Sequence, residues 1–197
     1  MPLPRKFYAR ENTAKIAREL LGKLLVVSSP EGCVSGMIVE TEAYLGAIDR
    51  AAHSFGGRRT KRNEVMYGEP GFAYVFFVYG MYNQFNCVTG AAGTPHAILI
   101  RGVEPVDGVE LMQERRPKAK RLTDLTSGPG KLCIAMGIDR SLNGEDLLGE
   151  KVFIEKYRKI TAENIACGKR IGVDYAGEDA DLPLRFWIAG NAFVSRK

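Results

Sequence analysis

The sequence predicts a single α+β domain built on a largely antiparallel sheet. Length is the first reason, because 197 residues make one domain the default. Composition is the second. Apolar residues are 45% and charged residues 26%, the balance of an ordinary globular chain rather than a disordered or fibrous one. The third is order along the chain: strand-like and helix-like segments mix without regular βαβ alternation. No internal repeat, low-complexity run or linker divides residues 1–197.

The elements follow in turn. Residues 13–21 predict a helix, with Ile16, Ala17, Leu20 and Leu21 on one face. Asn12 or Thr13 can cap its first turn and Gly22 its last. Residues 23–28 and 34–43 predict a β-hairpin through the SPEG turn. Residues 46–71 are rich in glycine and poor in apolar side chains, which suits a long binding loop. Residues 72–78 are apolar on both faces and predict a buried central strand. Gly80 and Asn83 supply turn chemistry, and residues 84–89 return as its partner. A further strand is expected at 97–103, a helix at 106–116 and a short helix at 131–136. Strands at 152–154 and 184–188 complete the set.

Several functions are excluded early. No run of eighteen apolar residues could span a membrane, and MPLPRKFYAR lacks the apolar core of a secretory leader. The net charge of +5 is compatible with a polyanionic partner without specifying one. The four cysteines form no CxxC pair and read as buried small hydrophobes of a reducing compartment, so no metal site is expected. The two histidines and the absence of a GxSxG elbow leave no catalytic triad. SGPGK, residues 127–131, breaks the phosphate-loop pattern at Leu125 and Leu132. What survives is a turn where backbone N–H groups and Lys131 could meet one phosphate oxygen.

Three features point to chemistry. In IVETEAYLG, residues two apart on a strand share a face, so Glu42 and Tyr44 lie side by side about 7 Å apart, with Thr41 opposite. A carboxylate there can activate a water, and the ring can stack on a flat ligand. Between positions 50 and 63 lie Arg50, Arg58, Arg59, Lys61 and Arg62 and no acidic residue. Glycines let that backbone approach a partner, and arginines fork onto phosphates. Tyr79 stands beside Gly80 at the expected hairpin tip, where a large ring could wedge into a base stack. Together these suit an enzyme acting on a base extruded from duplex DNA.

At these residues the chain resembles the alkyladenine (3-methyladenine) DNA glycosylases of the mammalian-type, single-domain fold. The resemblance runs through LLGKLLV, VETEAYLG, DRAAHSFGGRRTKRN, MYGEPGFAYVFFVYGMYNQFN, LIRGVEP, SGPGKLC and PLRFWI. It implies a curved antiparallel sheet surrounded by helices, with a protruding hairpin that intercalates DNA. It implies a monofunctional hydrolase of base excision repair without lyase activity, metal or cofactor. Water would attack C1′ of alkylated or deaminated purines (3-methyladenine, 7-methylguanine, hypoxanthine, ethenoadenine) and leave an abasic site. By the same resemblance Glu42 is the general base and Arg101 helps position the water. Tyr44 and His53 flank the flipped base, and Asn86 screens against guanine at the pocket floor. Tyr79 intercalates. Phe76 stands where the family often has Tyr, which bears on substrate range. Arg58, Arg59, Lys61, Arg62 and Lys131 are the expected contacts to the DNA backbone. The expected partner is double-stranded DNA, met by a monomer in the cytoplasm, nucleoid-associated in a prokaryote. The competing expectation is a module that inspects or flips damaged bases without catalysis.

Overall fold

The computed structural model describes residues 1–78 and 80–196. Its architecture is α+β, with eight strands in one curled antiparallel sheet. A four-residue helix, α1 (Arg5–Tyr8), precedes α2 (Thr13–Leu20). Asn12 caps α2 by accepting the Lys15 N–H at 2.8 Å, which removes one of the orphan donors of a helix start. Gly22 follows the helix at φ +81°.

β1 (Leu24–Ser29) and β2 (Gly32–Tyr44) form the expected hairpin. Then come β3 (Ala73–Val78), β4 (Tyr82–Thr89) and β5 (His96–Asp107). Helices α3 (Val109–Arg115), α4 (Thr123–Thr126) and α5 (Pro129–Met136) precede β6 (Val152–Glu155), β7 (Ile165–Gly168) and β8 (Arg185–Ile188). The sheet order is β3-β4-β5-β2-β1-β6, and β8 joins β2 to β7. The thirteen-residue β2 therefore has two partners along one edge: its start pairs β1, and Glu40 to Glu42 pair β8.

Alternation separates the two faces of this sheet. Val34, Ile38, Ala43, Ala73, Val75, Ile98 and Ile100 enter the main core, which the helices cover. Thr41 points the same way and donates to Ala17 O in α2 at 3.0 Å. Glu40, Glu42 and Tyr44 face the other side, as do Tyr74 and Phe76, which pack with Met66 and Ala97.

Four expectations need correction. β3 lies at the end of the sheet path rather than in its centre. Its two faces are buried by the main core on one side and the Met66 and Ala97 cluster on the other, and residues 143–145 cover its free edge: Gly144 N donates to Ala73 O, Ala73 N to Glu145 O, and Val75 N to Asn143 Oδ1. The helix expected at 106–116 begins at Val109, because β5 keeps its ladder to Asp107, which pairs with Ser35, and Gly108 then turns the chain at φ +69°. Cys87 and Cys133 are buried, but Cys33 and Cys167 are exposed on strands near the sheet margin. The loop at 46–71 holds three short 3-10 turns, at Gly46–Ile48, Phe55–Gly57 and Glu64–Tyr67.

Candidate active site

A cavity of about 360 Å3 opens on the face of the sheet opposite the main core, a size typical of small-ligand sites. Tyr44, His53, Phe76, Asn86 and Arg101 all line it, so the structure brings five of the expected pocket and catalytic residues together. Glu42 sits just behind them, fully buried. Its Oε2 accepts the Tyr44 hydroxyl at 2.9 Å and Arg101 Nη1 at 3.3 Å. Its Oε1 accepts the Ile171 N–H at 2.7 Å. A carboxylate offers about four acceptor positions, so three are filled and one remains. Arg101, Ile171 and Gly172 also line the cavity, which brings that end of the space up to the carboxylate.

These neighbours set the basicity of Glu42. Burial pushes its pKa above the usual carboxylate range; Arg101, the Ile171 N–H and the Tyr44 hydroxyl pull it back, and Glu40 adds to the rise. Burial and the adjoining Glu42 raise the Tyr44 hydroxyl well above its ordinary value, so it stays a proton donor to the carboxylate.

His53 is the loop-borne wall. Its ring lies edge-on to Phe76 with centroids 4.5 Å apart, and its Nδ1 is 2.9 Å from the Tyr74 hydroxyl. Burial, then Arg62 and Arg58, push its pKa down to about 4, so the imidazole is neutral at pH 7. Asn86 is buried on β4 and donates to Tyr74 O at 3.0 Å. Phe76 is buried beneath Arg62, whose guanidinium lies 5.1 Å from the ring centre.

The basic residues divide. Arg58 and Arg62 line a second cavity of about 400 Å3 together with Arg50, Thr60, Asn63 and Tyr175, and no acidic side chain lines it. His53 and Arg62 line both spaces. Arg59 is bound by the exposed Glu64 through two hydrogen bonds. Among the described residues Arg58, Lys61 and Arg62 make no side-chain ion pair. Lys131 is exposed in the first turn of α5 and lines neither cavity. Its neighbour Gly130 lies against the Tyr82 ring, where a Cβ would stand only 2.9 Å from ring carbons and has no room, which sets that turn beside the β3–β4 hairpin. Tyr79 lies outside the described residues.

The family model for methylpurine-DNA glycosylase matches residues 6–192. The chain belongs to this family. It is 50% identical to a protein of Desulfitobacterium hafniense over 99% of this chain and 98% of that one. A protein of Methanocella arvoryzae is also 50% identical, over 99% of this chain and 96% of its own. One from Alkaliphilus oremlandii is 48% identical over the full length of both. All three bear the name "Putative 3-methyladenine DNA glycosylase". The family is one of DNA glycosylases, hydrolases of base excision repair.

Four further residues that support this cavity have no role expected from the sequence. Tyr74 holds the His53 ring. Ile171 supplies the backbone donor to Glu42. Arg170 lies over the Tyr44 ring, 4.8 Å from its centre, and makes a buried two-armed pair with Asp49. Glu40 shares Arg101 with Glu42. Two acidic residues two apart in an otherwise apolar strand are the one signal that could have found part of this, because a buried charge needs a cation. No helix of the described residues is long and apolar enough to cross a membrane. No group of three or more His, Cys, Asp or Glu among the described residues could hold a metal ion.

Proposed function

We propose that the chain excises alkylated and deaminated purines from duplex DNA by direct water attack at C1′, leaving an abasic site without lyase cleavage. The substrates in this reading are 3-methyladenine, 7-methylguanine, hypoxanthine and ethenoadenine. The protein works as a cytoplasmic monomer and needs no metal or cofactor. One observation carries the reading: a buried carboxylate with one acceptor position left, at the end of an aromatic-walled cavity.

The damaged base leaves the stack, at a cost of about a few kcal/mol. Stacking on Tyr44 and Phe76, about 1–3 kcal/mol per base in comparable sites, offsets that cost. A purine carrying positive charge gains further from electron-rich ring faces. Asn86 meets the base edge at the floor, and neutral His53 meets its other side as a hydrogen-bonding ring rather than a cation.

The bond between C1′ and the purine nitrogen then breaks, and its electron pair leaves with the base. The sugar acquires oxocarbenium character, which the Glu42 carboxylate stabilises. A water held by Glu42 and Arg101 bonds to C1′ through oxygen and gives its proton to Glu42. A cationic alkylpurine leaves neutral. A neutral purine first takes up a proton on a ring nitrogen and then leaves as the neutral free base rather than as an anion, and the net reaction consumes one water in either case. Tyr79 fills the gap in the stack, and Arg58, Arg59, Lys61, Arg62 and Lys131 hold the phosphates.

Single-turnover excision from a duplex containing hypoxanthine tests the reading. Glu42→Gln keeps the shape of the site and is expected to slow base release by about 10²–10⁴-fold while DNA affinity holds. Base release by Glu42→Gln at the wild-type rate would overturn the mechanism. A wild-type chain that binds but releases none of the four bases would instead be a module that only inspects them.

A further inference from the structure

We infer that Glu40 and Ser195 are positioning residues for the reaction: they hold Arg101 so that it gives Glu42 a single N–H and leaves a carboxylate position for water. The inference rests on the reading of Glu42 as the base.

Arg101 is shared rather than forked. Its Nε lies 3.3 Å from Glu40 Oε1, its Nη1 3.3 Å from Glu42 Oε2, and its Nη2 3.4 Å from Ser195 Oγ. These contacts are longer than the roughly 2.7–2.9 Å of a tight charge-assisted pair. A guanidinium free to choose would fork onto one carboxylate with two parallel bonds. On Glu42 that fork would occupy the remaining acceptor position and weaken the base.

The backbone prepares the sharing. Along β2 and β5 the register runs Ile38 to Val103, Glu40 to Gly102 and Thr41 to Ile100, so Val39 and Arg101 each lack an opposing residue. Irregularities of this kind re-aim side chains. On the other edge of β2, Glu42 pairs with Arg185, whose Nε lies 3.3 Å from Glu40 Oε1.

The end of the chain closes the arrangement. Phe193 and Val194 are buried. The Ser195 N–H donates to Glu40 Oε2 at 2.7 Å and its hydroxyl donates to Glu40 Oε1 at 3.0 Å. Arg185 donates to Arg196 O at 2.7 Å. Gly102 has no room for a Cβ because Phe193 O lies 2.9 Å from where one would stand. The tail thus rests on β5 beside Arg101, and Glu40 is spoken for from four directions. Two carboxylates, Glu40 and Glu42, face two guanidiniums, Arg101 and Arg185.

Removing the charge of Glu40 frees Arg101 for Glu42. The groups facing Glu42 are then Tyr44 of β2, Arg101 of β5, Arg185 of β8 and Arg170 after β7. All three guanidiniums favour the ionised carboxylate, which becomes a poorer base.

The test is single-turnover excision across pH for Glu40→Gln, Ser195→Ala and Ser195→Thr, with Glu42→Gln as reference and with affinity for undamaged duplex measured alongside. Glu40→Gln is expected to slow excision by about 10- to 100-fold, the scale of a misplaced catalytic group. Its DNA affinity stays the same, and the acid limb of its rate profile moves to lower pH. Ser195→Ala gives a smaller loss with the same direction of shift, and Ser195→Thr, which keeps the hydroxyl and the N–H, restores the rate. If Glu40→Gln cuts at the wild-type rate with an unmoved acid limb while Glu42→Gln is inactive, the positioning role is wrong and the base assignment stands. If Glu40→Gln does not fold, an unchanged rate and acid limb in Ser195→Ala overturns the proposal. If Glu42→Gln is fully active, the underlying reading fails first.

Discussion

On one side of the cavity Glu42, Tyr44, Phe76, Asn86 and Arg101 stand on four neighbouring strands, held by ladder hydrogen bonds and buried partners. On the other side His53 and Arg62 stand on a segment that has short 3-10 turns and no strand. The strand wall is a polar network almost closed on itself. The loop wall exposes five basic residues within thirteen positions, yet it is pinned by three buried polar side chains. Asp49 takes both arms of Arg170. Ser54 donates to Pro95 O. Asn63 donates to His53 O and Arg58 O and accepts the Thr60 N–H. On the proposed function, the segment that meets DNA is solvated along its length and fixed at a few points, while the segment that performs chemistry is fixed everywhere. The division matches two demands: phosphate contact tolerates adjustment, and a water-activating carboxylate does not.

The bolt between the walls is the sharpest place to break this comparison. Arg170 grips Asp49 of the loop, donates to Ala43 O of β2 and lies over Tyr44. Both ends of the pair are almost fully buried. Arg170→Met leaves the Asp49 carboxylate buried with only the Leu45 and Ala51 N–H groups. Losing one partner of a buried pair costs about 3–5 kcal/mol, which for a chain of this size lowers the melting temperature by on the order of 10 °C. Asp49→Asn in the same chain removes the stranded charge and is expected to recover part of that loss. Melting of Arg170→Met at the wild-type temperature would mean that the loop is held by its turns alone.

The strand wall was largely legible and the loop wall was not, for a physical reason. A period of two is enough to set Glu42 beside Tyr44 and turn Thr41 to α2, because a strand fixes side-chain direction locally. The closure of that wall comes from Ile171 and Ser195, which lie 129 and 155 residues from the carboxylates they meet, and no local pattern carries such a contact. β3 reads as central because both its faces are apolar; only the folded chain shows residues 143–145 sealing its edge. In the loop, charge alone misleads. The basic run at 50–63 is bounded by Asp49 and Glu64, and folding gives one to Arg170 and the other to Arg59. Buried Asn63 and Ser54 look like ordinary loop residues because what they bind is backbone.

That partition of charge predicts which basic residues count. Arg58→Glu with Lys61→Glu is expected to weaken binding to undamaged duplex whatever its sequence. It should also lower the magnitude of the slope of log affinity against log salt by about 0.9 for each lost phosphate contact. Arg59→Glu is expected to do less, since Glu64 already engages Arg59. Anisotropy titrations at several salt concentrations decide it. Equal losses for Arg59 and Arg58 would erase the distinction between pinned and free charge on the loop wall, and an unchanged slope for the double variant would remove the loop from the DNA contact altogether.

The smallest effect probes the seam where the walls meet at His53. Its folded pKa, about 4 against an ordinary 6.5, lies below the unfolded value. As pH falls from 6.5 towards 4 the unfolded chain takes up a proton that the folded chain refuses. Stability therefore rises with pH in that window, by linkage, and this contribution is lost as pH falls through it. His53→Gln removes the group and is expected to flatten the curve of denaturant midpoint against pH between 6.5 and 4, by at most the slope that one proton contributes. Some slope stays, because burial holds the His96 pKa below its ordinary value as well. The same variant loses the ring contact to Phe76 and the Tyr74 hydrogen bond, so its midpoint at pH 8 falls modestly. A parallel downward shift at every pH, with the slope unchanged, would show that His53 titrates freely. The loop wall would then be open to water where the structure closes it against Tyr74 and Phe76.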